Sequence, residues 1–266
     1  MIMAKAAVYS QKGEKVSDVS LPKAFEQKVS DALIRRAAIS DQTKTYQSKG
    51  NDIWAGVRTS AKYRGVKDSY ASLKNQGGAM LPREIQPKGR HGRVRRIPSS
   101  VKGRRAHPPK VAKVIVERIN KKEYAKALES AMAASASVEF VKARGHSIDE
   151  KISLPIILDE SADSIAKTSD AKKMFEAIGV GSDMKRATKA KPRSGVGARK
   201  GGVKRAKSML VVVAGEKSKL AKAAKNLAGF DVVTVDKLRV LDLAPGAKPG
   251  RLTAYTKAAL ELIAKR

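Results

Sequence analysis

The run IQPKGRHGRVRRIPSSVKGRRAHPPK, residues 85–110, constrains this chain more than any other part of it. It holds nine Lys or Arg side chains, no carboxylate, three glycines and four prolines, so it can neither hide its charge in a core nor continue a helix or strand for long. Gly89, Gly92 and Gly103 let the backbone come close to a surface, and Pro87, Pro98, Pro108 and Pro109 favour an extended path. Arg90, Arg93, Arg95, Arg96, Arg104 and Arg105 can each grip a phosphate through two hydrogen bonds at once. An extended, arginine-studded ribbon suits the surface of a folded RNA. Lys/Arg runs also serve as disordered tails and nuclear-import signals, but this one lies mid-chain between structured-looking segments, which argues against both.

The rest of the composition points the same way. A chain of 266 residues with 42% hydrophobic content can hold one large domain or two small ones around a real core. Its net charge is +31 and its pI about 10.4, an excess that a permanent nucleic-acid partner explains most economically. A membrane fits poorly, because no apolar run approaches the ~18–20 residues needed to span a bilayer. The absence of cysteine excludes disulfides, zinc knuckles and thiol nucleophiles. The start, MIMAKAAVYSQKGEK, lacks the order of a secretory signal, so the chain is expected to stay where it is made. Aromatics are only 4%, so phosphate and shape contacts are favoured over a platform that stacks successive bases.

Taken in order, Ala4 to Tyr9 reads as a strand ending in a Gln-Lys-Gly turn. A helix then places Val29, Leu33 and Ala37 on one face. Asn120 to Glu123 has the spacing of a capped helix start, with Tyr124, Leu128, Ala131, Met132 and Ser135 on one face and Met132 as core filling. Leu154 to Leu158 is a short strand, and Ala171 to Ile178 a helix with Met174, Phe175 and Ile178 inward and Gly179 as its stop. Met209 to Ala214 is a buried-type strand, Ser218 to Leu227 a helix, and Val232 to Val235 a strand. Leu252 to Tyr255 is the last strand, and a helix from Thr256 closes the chain. Continuous apolar strands alternating with helices imply an α/β fold with a mostly parallel, helix-covered sheet.

Between Gln42 and Ala112 no apolar period persists, and seventeen basic residues face three acids, a net of +14 and nearly half the total surplus. A structureless stretch of this length is expected to be ordered by a partner. The expected organisation is a globular α/β domain from residues 1–44 and 111–266, with residues 45–110 as a long extended basic internal loop. As two extended arms the loop could reach up to ~100 Å at ~3.3 Å per residue. Trp54, Tyr63 and Tyr70 fall in the outgoing arm, where a packing anchor near the loop base is the simplest role for each and the preferred one for Trp54. Residues 185–207 repeat the chemistry on a smaller scale, with ten basic residues, no acid and four glycines. Arg193, Arg199, Lys200, Lys204 and Arg205 there are expected to make a second RNA contact.

An α/β sheet invites a nucleotide, and the candidates fail on spacing. Gly195-Val-Gly197 has its next glycine at 201 and no strand before it; Gly246 to Thr253 is a residue short of a phosphate loop and has Arg251 where lysine is required. His91 and His107 fit RNA contact, His146 a turn, and none has a metal-ligand neighbour at helical spacing. Asp159-Glu160 is best read as a capping or solvated pair rather than an acid/base pair. No cofactor or metal is expected.

With these segments placed, the chain resembles the large-subunit ribosomal protein L-four family in its archaeal and eukaryotic form. The resemblance rests on Trp54-Ala-Gly-Val-Arg-Thr59, Gly89-Arg-His-Gly-Arg-Val-Arg-Arg-Ile-Pro98, Val101-Lys-Gly-Arg-Arg-Ala-His-Pro-Pro109 and Asp242-Leu-Ala-Pro-Gly-Ala-Lys-Pro-Gly-Arg-Leu-Thr253. It implies a structural, non-catalytic protein of the cytoplasmic large ribosomal subunit whose internal loop threads the rRNA. The loop tip would help form the narrow part of the peptide exit tunnel beside ribosomal protein L-twenty-two, close to the nascent polypeptide, and other large-subunit proteins would be neighbours. Carried over by motif, Arg58, Lys88, Arg90, Arg93, Arg95 and Arg96, with Lys102, Arg104 and Arg105 on the returning arm, would bind rRNA. Gly89, Arg90, His91, Gly92 and Arg93 would be proximal to the tunnel. Between Arg58 and Lys88 the chain runs longer than the family pattern, including Tyr63 to Gln76. The competing expectation is an RNA-modifying or nucleotide-dependent enzyme whose basic loop recruits substrate; it requires a pocket at the carboxyl ends of the strands.

Overall fold

The computed structural model describes residues 5–149 and 152–265. The first elements are β1 (Lys5–Tyr9), β2 (Lys15–Ser20), α1 (Asp31–Thr43), β3 (Arg83–Ile85), β4 (His91–Val94), α2 (Lys121–Ala136) and α3 (Val138–Ala143). There follow β5 (Ile156–Leu158), α4 (Glu160–Asp163), α5 (Thr168–Phe175), α6 (Gly181–Thr188), β6 (Lys191–Pro192), α7 (Val196–Arg199) and β7 (Val203–Lys204). The chain closes with β8 (Leu210–Val213), α8 (Lys219–Lys225), β9 (Asp231–Thr234), α9 (Val240–Leu243), β10 (Thr253–Thr256) and α10 (Lys257–Ala264). It divides into two compact units, one of residues 1–45 and 116–266, the other of residues 46–115.

In the larger unit six strands form one sheet in the order β2-β1-β5-β10-β8-β9. Only β2 runs antiparallel to its neighbour; β1, β5, β10, β8 and β9 pair in parallel. Successive side chains of a strand point to opposite faces, so the run at 209–213 feeds two cores. Met209, Val211 and Val213 join one, and Leu210 and Val212 the other. A strand apolar on both faces must be covered on both. The first face receives Met174, Phe175, Met184 and Leu220 from α5, α6 and α8, and the second receives Ile34, Met132, Leu243 and Leu260 from α1, α2, α9 and α10. Burying such a side chain contributes about 1.5–3 kcal/mol. Each core also has an aromatic pair: Phe175 and Phe230 with centroids 5.1 Å apart, and Phe25 edge-on to Tyr255 at 5.4 Å.

Several local expectations are corrected. The hairpin partner β2 is a strand that the sequence does not announce, because an edge strand with mostly exposed side chains carries no apolar alternation. Asn120 does precede α2, but its side chain makes no capping bond; Glu123 instead meets Arg36 of α1 at 2.6 Å. Gly179 does stop its helix, as expected: at φ +103° it breaks the helical backbone that runs on from α5 to residue 178, and a new helix, α6, begins at Gly181. Ala4, the first residue of the expected opening strand, lies outside the described residues.

Candidate nucleic-acid interface

The smaller unit, residues 46–115, carries seventeen Lys or Arg against three acids, and its backbone is ordered by local bonds rather than by long elements. Asp52 accepts from the Trp54 N–H at 3.1 Å and pairs with the Arg58 guanidinium at 3.1 Å, while the Arg58 N–H returns to the Trp54 carbonyl at 3.3 Å. Ala61, Ser72 and Leu73 are buried. A bridge between Lys62 and Arg83 ties the outgoing stretch to the β3–β4 hairpin. Trp54 is not the packing anchor expected of it. The residue is 59% exposed, and Tyr63 and Tyr70 are likewise open to water.

Two glycines allow the outgoing and returning chains to meet. Gly56, at φ +76°, packs so closely on Gly103 that a Cβ there would run into the Gly103 carbonyl, and a Cβ on Gly103 would run into the Ile97 carbonyl and the Ser100 hydroxyl. Only a residue without a side chain permits this approach. Beyond it, β3 and β4 pair antiparallel, Arg83 opposite Val94 and Ile85 opposite His91. The turn between them is closed by the Gln86 N–H on the Arg90 carbonyl at 2.8 Å and has Lys88 and Gly89 at φ +63° and +70°.

The basic side chains of this unit divide into two sets. Lys88, Arg90, Arg93, Lys102, Arg104 and Arg105 are exposed and have no carboxylate partner among the described residues. Arg95 and Arg96 are half-buried and occupied within the unit. Arg95 pairs with Glu84 at 3.4 Å and donates to the Val101 carbonyl at 2.7 Å, and Arg96 donates to the Ala61 carbonyl at 3.1 Å. Sequence spacing does not separate these neighbours, since both stand in an unbroken basic run. His91 is half-buried on β4 and His107 is exposed.

The larger unit presents the second basic segment as the β6–β7 hairpin, with α7 between its strands. Arg193, Arg199, Lys200, Lys204 and Arg205 are exposed and without carboxylate partners among the described residues. The ends of the segment differ. Arg186 belongs to α6 and pairs with Asp183 at 2.8 Å, and Lys207 pairs with Asp231 at 2.8 Å, so both ends are fixed into the body while the hairpin between them is free to meet an anion.

The root of that hairpin contains a buried polar network. Asp183, fully buried, accepts from the Ser208 hydroxyl at 2.5 Å and the Ser147 N–H at 3.1 Å, and meets His146 Nδ1 at 3.2 Å. The Leu252 N–H donates to His146 Nε2 at 3.3 Å, which makes Nδ1 the protonated nitrogen. Burial pushes the Asp183 carboxyl up, but the bonds from His146, Arg186 and Ser208 outweigh it and hold the group well below the usual carboxylate range. His146 is therefore a buried structural residue and not a turn residue. Nothing in its sequence neighbourhood signals this, because its partners lie 37 and 106 residues away. Arg251 is equally concealed. At 1% exposure it donates to Asp231 at 2.5 Å and to the carbonyls of Ser208 and Asp242 at 3.2 and 2.9 Å.

An enzyme of this fold would need a pocket beyond the strand ends. A cleft of about 860 Å³ does lie beside β8, β9 and α8, lined among others by Tyr124, Val213, Glu216, Lys237, Arg239 and Asp242. Of its polar groups, Lys237 pairs with Glu216, Arg239 with Asp242, and the Tyr124 hydroxyl donates to Asp41. Asp159 caps α4, accepting from the Ser161 N–H, and Thr256 caps α10. Among the described residues no three His, Asp or Glu side chains converge on a metal position, and no described helix is long and apolar enough to cross a membrane.

A helix-covered, mostly parallel sheet, with a second unit rich in exposed arginines, defines a basic α/β protein. Comparison with known proteins makes this specific. The ribosomal protein L4/L1 family matches residues 19–266. The chain is 44% identical over 264 residues to the large ribosomal subunit protein uL4 of Methanocaldococcus jannaschii, covering 98% of this chain and 99% of that one. It is 42% identical to the protein of the same name from Methanococcus aeolicus, with 98% and 99% covered, and 39% identical to that of Natronomonas pharaonis, with 98% and 100% covered. The chain belongs to the ribosomal protein L4/L1 family, a family of ribosomal proteins rather than of enzymes.

Proposed function

We propose that this chain is a structural constituent of the large ribosomal subunit in the cytoplasm, and that it binds rRNA through residues 45–110 and through the hairpin within 185–207. The observation that carries the reading is the set of exposed guanidinium groups without carboxylate partners at Arg90, Arg93, Arg104 and Arg105, beside Arg95 and Arg96, whose bonds to their own unit fix the backbone that presents them. Arginines left unneutralised by protein are matched by phosphate, which accepts their paired donors. Full-length similarity to proteins named uL4 supports the place of assembly. The turn of Gly89, Arg90, His91, Gly92 and Arg93 is the part assigned to the exit tunnel, beside ribosomal protein L-twenty-two and the nascent polypeptide. The α/β body is left to contact other large-subunit proteins and to support assembly.

The test is sedimentation of the tagged protein from lysate at low and then high salt. Co-migration with the large subunit that survives the salt wash is the expected result, followed by crosslinking from a photoreactive residue at position 93 to the tunnel wall. Recovery in the soluble fractions alone would refute the proposal.

A further inference from the structure

Residues 63–73 close a small loop on themselves. The Leu73 N–H donates to the Arg64 carbonyl at 3.0 Å, the Ser69 hydroxyl to the Val66 carbonyl at 2.9 Å, and Arg64 Nη1 to the Tyr70 carbonyl at 3.2 Å. Asp68 and Ala71 have φ of +63° and +53°, a left-handed conformation that is strained for a residue with a side chain and that recurs where a loop is shaped for a ligand. The same loop keeps two aromatic rings in water, Tyr63 at 57% and Tyr70 at 72% exposure. Together with Arg64, Gly65, Val66 and Ser69 they line a cleft of about 490 Å³. Arg64 lies over the Tyr70 ring, its guanidinium carbon 5.7 Å from the centroid, and its Nε is a buried donor without a hydrogen-bond partner. At Gly65 a Cβ would come within 2.8 Å of the Tyr63 ring, so the absence of a side chain is what lets that ring lie where it does.

We propose that this cleft takes one unstacked nucleobase of RNA, stacked on its tyrosine rings beside the Arg64 guanidinium. Every base has a π face, and splayed-out bases of folded RNA stack on aromatic and arginine planes. Two rings on one short loop suit a single base, not a run of them. No carboxylate lines the cleft, and residues 62–74 carry four basic side chains against Asp68, so the charge favours a polyanion over an apolar peptide. Filling the cleft also removes from water two rings that the free chain leaves exposed. The inference rests on the RNA-binding reading above and adds a stacking contact to its phosphate contacts.

The experiment compares the full chain with its Tyr70→Leu and Tyr70→Phe variants, binding large-subunit rRNA transcribed in vitro across a salt series. Tyr70→Leu is expected to bind about 5- to 100-fold more weakly with an unchanged slope of log K on log salt, because stacking releases no counterion. Tyr70→Phe, which keeps the ring, should bind as the natural chain does. Ultraviolet irradiation of the natural complex should leave a single-nucleotide adduct on the peptide containing residues 63–70. Equal affinity of Tyr70→Leu, or an adduct to protein in place of a nucleotide in intact subunits, overturns the nucleobase site while RNA binding by the natural chain stands. Failure of the natural chain itself to bind the rRNA overturns the parent reading.

Discussion

Arg251 reaches Asp231 from a position with 1% exposure, donating to its Oδ2 at 2.5 Å while both oxygens of the same carboxylate receive Lys207 at 2.8 Å. Asp231 thus joins the interior of the body to the root of the basic hairpin. Burial lowers the Arg251 pKa, and the carboxylate opposes that shift. Removing one partner of a buried pair costs about 3–5 kcal/mol. Asp231→Asn leaves the buried Arg251 guanidinium without its counter-charge and should therefore lower the unfolding free energy by an amount in that range, taken from urea denaturation followed by circular dichroism. Arg251→Met, in contrast, leaves Asp231 a third exposed and still paired with Lys207 and should cost about 1–3 kcal/mol.

Asp183 gives a pH dependence of definite sign. Its folded pKa is depressed, by bonds from His146, Arg186 and Ser208 that outweigh its burial, relative to about 3.9 in an unfolded chain. The stabilisation is complete above that value and is lost as pH falls through it toward the folded pKa. Midpoints measured between neutral and about pH 3 should fall more steeply for the natural chain than for Asp183→Asn. Parallel acid limbs would show that the carboxylate contributes nothing to the titration.

Gly103→Ala places a methyl group against the Ile97 carbonyl and the Ser100 hydroxyl. A cost of about 2–3 kcal/mol is expected, localised in residues 46–115. Limited trypsin digestion should cut that unit faster, while the helical signal of the α/β body is retained.

Arg93 and Arg95 are two residues apart and should fail differently. Arg93 is exposed with no carboxylate partner among the described residues, so Arg93→Gln should reduce the salt slope of rRNA binding by about 1. Arg95 is engaged with Glu84 and the Val101 carbonyl. Arg95→Gln should instead loosen the hairpin, with faster proteolysis of that unit preceding any change of slope.

The sequence by itself determined the α/β class, because runs such as Met209 to Val213 are apolar at every position and demand cover on both faces of the sheet. It also determined the chemistry of the basic segments, since arginine without neighbouring acid has few places to go, and the family, through motifs that extend over the whole chain. Tertiary structure decided which basic residues are free. Arg93 and Arg95 look alike in sequence, and only the Glu84 and Val101 carbonyl positions tell them apart. It likewise decided that Arg251, in a loop-like glycine-proline motif, is a buried core residue, that His146 is a buried partner of Asp183, and that Trp54 faces water. Apolar periodicity is a local property and can be read along the chain. A hydrogen bond between residues 37 or 106 positions apart exists only once the sheet and its helices have brought the two ends together.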